Sequence, residues 1–115
     1  MRRFIECTGL ALFATACATA HLTPETLAQT ESGVSGARQA GADGNPQAAL
    51  RLKYATDELA QAKALDKRGE ADDAKRMMDR AQADTELSLA LTRETQAEAL
   101  AKQAIGSEKS LEQNP

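Results

Sequence analysis

An all-α fold is predicted for this chain: an antiparallel helical hairpin with a shorter N-terminal helix, three-helix bundle-like overall. Three observations carry it. A capping residue followed by proline occurs twice, at Thr23-Pro24 and Asn45-Pro46, and proline is tolerated at the first helical position because the N–H it lacks has no intrahelical partner there. Glycines fall where a helix has to stop, at Gly41 and Gly69, since glycine takes the left-handed conformation without a Cβ clash. Between them Ala48, Leu52, Ala55, Leu59 and Ala62 recur at spacings of four, three, four and three, the period of a coiled-coil seam.

The first helix starts after Thr23, with Glu25 near its positive end. Leu27, Val34 and Ala37 can share one face, and Ala28, Ala40 and Gly41 add small surfaces. Ser32-Gly33 and Ser35-Gly36 dilute its propensity, each interior glycine costing about 1 kcal/mol relative to alanine, so it is expected to be the least stable of the three. The second helix follows Asn45-Pro46, with Leu65 extending its seam toward Arg68-Gly69. The third begins at about Glu70, with Asp72 and Asp73 at its positive end, and is expected to run to Ile105 before Gly106, a length of about 50 Å. Its narrow face comprises Ala74, Met77, Met78, Ala81, Thr85 and Ser88, followed by a drifting stripe of Leu87, Leu91, Leu100 and Ala104. Methionine fills irregular gaps, and core packing is the expected role of Met77 and Met78. The pairs Asp72/Arg76, Arg80/Asp84 and Glu98/Lys102 stand four apart, each contributing about 0.2–0.5 kcal/mol on a solvated face.

The N-terminus has the parts of an export signal. Arg2 and Arg3 precede a short apolar run that closes on Ala14-Thr15-Ala16-Cys17, and that run is far shorter than the ~20 residues a membrane span needs. The pattern resembles a bacterial lipoprotein precursor, although Glu6 and Ala14 depart from it. The resemblance implies removal of residues 1–16, lipidation of Cys17, and a lipidated tether over residues 17–22. The helical domain then occupies residues 23–105 and a polar tail residues 106–115. Ala18, rather than aspartate, after the cysteine implies an outer-membrane anchor on the periplasmic face, with the inner membrane as the alternative. A multiply acylated cysteine holds stably where one chain binds marginally.

Composition excludes several function classes. Removing residues 1–16 takes two arginines and one glutamate, leaving 12 Lys or Arg against 16 Asp or Glu, a formal charge of −4. That balance disfavours nucleic acid as a partner. Tyr54 is the only aromatic residue after Cys17, so no stacking platform can form; it is read as a half-buried packing residue. Cys7 lies inside the signal, so the mature chain has no internal disulfide. His21 is the sole histidine and is expected to be solvated, without a second metal ligand or a nucleophilic partner. Asp72, Asp73, Asp79 and Asp84 alternate with arginines rather than lining a pocket. Gly41 to Asn45 is read as a capping segment rather than a calcium loop. No catalytic, cofactor or metal residue is assigned, and no enzyme is expected.

Several runs carry a resemblance over Leu27 to about Ala104: Gly41-Ala42, Asp57-Glu58-Leu59-Ala60-Gln61-Ala62, Lys67-Arg68-Gly69-Glu70, Ala74-Lys75-Arg76-Met77-Met78 and Ala81-Gln82-Ala83-Asp84. Together they resemble the domain of unknown function 4398 family of Ala-rich bacterial envelope lipoproteins. Thr85 and Ser88 stand where the family usually carries alanine, and Asn45 where an aromatic often precedes the proline. The resemblance implies a helical fold in the cell envelope and no known activity. Residues and resemblance together point to a non-catalytic bacterial envelope lipoprotein acting as a structural or adaptor module for protein partners, with envelope proteins as the expected partners and a homo-oligomer as the other option. The alternative is a small periplasmic chaperone or carrier, with Met77, Met78 and the leucine stripe forming a groove for unfolded chains or acyl groups.

Overall fold

The computed structural model describes residues 21–114. Three α-helices, α1 (Pro24–Gln39), α2 (Pro46–Lys67) and α3 (Ala71–Gln113), are joined by one 3-10 turn at Ala42–Gly44, and the described residues contain no strand. Thr23 caps α1 through its hydroxyl, which accepts the Thr26 N–H at 3.2 Å. Asn45 caps α2 by accepting the N–H groups of Gln47 and Ala48 at 2.9 and 3.2 Å. Each cap satisfies donors that the first helical turn leaves without partners. Gly41 and Gly69 adopt φ of 94° and 79°, conformations that an L side chain resists. Gly69 reverses the chain within the three residues between α2 and α3, Arg68 to Glu70, which makes the hairpin.

The α2 seam is buried throughout: Ala48, Leu52, Ala55, Leu59, Ala62 and Leu65. It faces Ala71, Ala74, Met78, Ala81, Thr85, Ser88 and Thr92 of α3. The Ser88 hydroxyl donates to the Ala48 carbonyl at 2.8 Å and fixes the register. Counting away from that contact in an antiparallel pair sets Ala55 level with Ala81 and Ala62 level with Ala74. Layers of two alanines therefore alternate with layers holding Leu52, Leu59 or Met78. The buried Thr85 and Thr92 remove their hydroxyls from the apolar surroundings by donating to carbonyls four residues earlier.

α1 packs across the hairpin and runs parallel to α3. Near its start the Thr30 hydroxyl lies 3.3 Å from the Met78 sulfur; past its end the Gln96 amide donates to the Ala40 carbonyl at 2.8 Å. Val34 and Ala37 are buried as expected, joined by Thr30, while Leu27 is partly buried and Ala28 exposed. A Cβ built on Gly33 would lie 3.0 Å from the Thr85 methyl, whereas one on Gly36 meets nothing within 4 Å. Gly36→Ala is therefore expected to stabilise the domain by about 0.4–1 kcal/mol, raising Tm by a few degrees. A lowered Tm would show that α1 is not helical through Gly36.

The main departure from the sequence reading is at the far end of α3. The helix does not stop before Gly106 but continues to Gln113, so the segment read as a polar tail is largely helical. Gly106 has no positive φ, and the Ser107 hydroxyl donates to the Gln103 carbonyl at 3.0 Å inside the continuing helix. At 43 residues α3 is about 65 Å long, and every residue from Arg93 to Asn114 is exposed. The drifting leucine stripe is not a core face: Leu87, Leu100, Ile105 and Leu111 are exposed, and Leu91 is only partly covered.

Candidate functional site

Cys17, its preceding small residues and the signal segment lie outside the described residues. The chain enters the description at His21, and its path there is fixed. The Leu22 N–H donates to Asp66 Oδ1 at 3.1 Å, and the His21 Nδ1 lies 3.3 Å from the same oxygen. Asp66 is in the last turn of α2, so the segment leading from Cys17 joins the bundle at the hairpin's turn. Leu22 packs against the core from this side. His21 is 62% exposed, as expected of a solvated residue, but the Asp66 contact is a partner that reading missed. Beside it a groove of about 370 Å³ runs between α1 and α3, lined by Leu22, Thr26, Gln29, Met78 and Gln82 among others.

The acids read along α3 are distributed differently from the expectation. Arg76 pairs with Asp73 rather than Asp72. Arg80 and Asp84 do not pair with each other: Arg80 reaches Glu58 at 3.7 Å, and Asp84 accepts from Arg51 at 3.1 Å, both across the α2–α3 seam. Glu98 and Lys102 form no ion pair among those found. Lys63 of α2 pairs with Glu31 of α1 and clips the first helix to the hairpin.

Glu58 and Asp84 thus form a half-covered carboxylate pair bracketed by Arg51 and Arg80, which the sequence reading did not find. Glu58 Oε2 is buried without a hydrogen-bond partner. Burial, followed by the neighbouring Asp84 carboxylate, pushes the Glu58 pKa above its ordinary value, against the opposing pull of Arg80 and Arg51. A carboxyl with a raised pKa beside a second acid has the composition of an acid–base pair. It sits at the α2–α3 seam, between Arg51 and Arg80. Its consequence is on stability. A folded pKa above the unfolded one gives a contribution that is full below the ordinary value of 4.5 and lost as pH rises through the folded value. Glu58→Gln is expected to be more stable than the parent at neutral pH and to flatten this loss. Denaturant melts at about pH 4 and about pH 7 read it; equal pH slopes for both proteins would refute it.

The remaining sites resolve simply. Tyr54 is 43% exposed, with the Arg51 guanidinium carbon 6.0 Å from its ring centroid. Met78 is buried and Met77 only partly so. Gly41 to Asn45 forms the 3-10 turn and the α2 cap. Among the described residues no group of three or more His, Cys, Asp or Glu side chains is placed to hold a metal ion, and no helix is long and apolar enough to cross a membrane.

No curated protein and no solved structure matches the chain. The model of one family, the domain of unknown function DUF4398, matches residues 25–104. That stretch contains all of α2, the packed part of α3 and all of α1 but its first residue. The chain belongs to the DUF4398 family.

Proposed function

We propose that this protein is a non-catalytic envelope lipoprotein, anchored through an acylated Cys17 and serving as a structural or adaptor module for protein partners. The observation that supports it best is the polarity of the fold. The segment leading from Cys17 is pinned by Asp66 at one end of the bundle, while α3 projects uncovered from the other. An anchor at the first end holds the hairpin turn near the lipid surface and directs the bare helix away from it. The outer membrane, on its periplasmic face, is the compartment this reading names, with the inner membrane as the alternative.

Intact mass and membrane fractionation of the protein in a bacterial host, beside a Cys17→Ala variant, test the anchor. An acylated chain beginning at Cys17 is expected in the membrane fraction, with the variant released. An unmodified chain beginning near Ala18 would overturn it. A pull-down from envelope extracts that recovers no specific protein, from a strictly monomeric domain, would count against the adaptor role.

The carrier reading has one observation in its favour. Leu50, Leu87 and Leu91 line an exposed groove of about 380 Å³ with Gln47 and Arg51, an apolar surface of the kind that marks interaction sites. Met78 does not contribute, being buried against Thr30. Binding of an environment-sensitive dye, lost in Leu87→Asp, is the outcome this reading requires.

A further inference from the structure

We propose that the projecting end of α3 pairs with the same segment of a second copy, the two helices running antiparallel. The first ground is continuity. α1 lies on a definite face of α3, touching Met78, Gln82 and Thr85, and its C-cap Ala40 accepts from Gln96. Steps of three or four residues continue that face past the end of α1 to Leu100, Gln103, Ser107 and Leu111, with Ala97 and Ala104 beside it. Beyond Gln96 nothing within the described residues covers it: Leu100 is 66% exposed and Leu111 74%. The same six positions carry no charge; Glu108 borders them beside Ala104 and Leu111, and Glu94, Glu98, Lys102, Lys109 and Glu112 occupy other faces.

The second ground is the direction the bundle permits. A parallel, in-register partner would lay its own α3 along this line, which on each copy is already filled below Gln96 by α1. An antiparallel partner enters from the free tip and stops where α1 ends. That register sets Leu100 of each copy against Leu111 of the other, and Ala104 against Ser107, so large residues share a layer and small ones close the gap between them. It is the α2–α3 pattern repeated between chains, with the two bundles at opposite ends of the pair. Such a partner also accounts for a helical end containing Gly106 that has no tertiary support, because a helical segment of this length is marginal in water by itself.

This inference goes beyond the adaptor reading, since a pair with its bundles at opposite ends also sets the two Cys17 ends apart, and its test needs no membrane. A photoreactive residue replacing Ala97 in the full chain, purified in mild detergent as an equal mixture of light and heavy isotope forms, reports the neighbour after trypsin digestion. The expected product is a mixed-isotope crosslink from the peptide carrying position 97 to the peptide beginning at Ser110. Leu100→Asp combined with Leu111→Asp is expected to reduce it about tenfold or more. A mixed-isotope link between two peptides carrying position 97 would replace the antiparallel pair with a parallel one. Links within one copy only, or no link, would overturn the pairing while leaving the anchored adaptor reading intact.

Discussion

Leu52→Ala is expected to lower the unfolding free energy by about 2–5 kcal/mol, the range for removing a buried leucine and leaving part of its volume empty. Leu52 is 2% exposed at the middle of the α2 seam. The largest fully buried side chains besides it are Met78 and Ser88, so few bulky groups share its work. Its neighbours along the seam are alanines at Ala48 and Ala55, which cannot move into the space. With total stability for a domain of this size typically about 5–15 kcal/mol, the variant loses a large share of it. A urea titration with unchanged slope and a lowered midpoint is the signature. A loss under about 1 kcal/mol would mean that the hairpin collapses onto the gap and that the register read from Ser88 and Ala48 is wrong.

Ala55→Leu tests the same seam from the opposite side. Ala55 and Ala81 are both fully buried and share a layer, so the two backbones approach there with only methyl groups between them. A leucine has no rotamer that avoids the facing helix without separating it. The expected cost is about 1–3 kcal/mol, the usual range for overpacking a filled core. Ala60 is exposed on the same helix, and Ala60→Leu is expected within about 0.5 kcal/mol of the parent. The difference between the two variants isolates packing from helix propensity, which is the same in both. Equal stability for both would show that the alanine layers are loose.

Why these side chains were foreseeable and others were not follows from the range of each interaction. Thr23-Pro24, Asn45-Pro46 and the positive φ at Gly69 are settled by atoms within a few residues, so the helix starts and the hairpin turn were legible directly. The α2 seam was legible because one period repeats without interruption through six buried positions. Gly106 was misread because glycine ends a helix only when the chain turns away there, and nothing beyond it makes the chain turn. The ion pairs were misread for a different reason. Counting four residues along one helix cannot show that Arg51 stands level with Asp84, or Arg80 near Glu58, because that level is set by the three-residue turn and the Ser88 contact. The raised pKa of Glu58 was invisible for the same cause, since its burial and the Asp84 charge both come from across the seam. Cys17 remains a reading from local sequence.

The unbroken run of α3 through the bundle and out of it makes the projecting end a lever. No hinge separates the packed half from the bare half, so any tilt of the bundle is transmitted to the tip. Over the roughly 60 Å of helix from Ala71 to Leu111, a tilt of about ten degrees at the hairpin turn carries Leu111 sideways by about 10 Å. At the opposite end Asp66 and the core hold the incoming His21-Leu22 segment to the bundle, so that end turns with the tip as one piece. A rigid arm of this kind lets the tip sweep a wide area for a small rotation of the bundle while its surface stays in one shape.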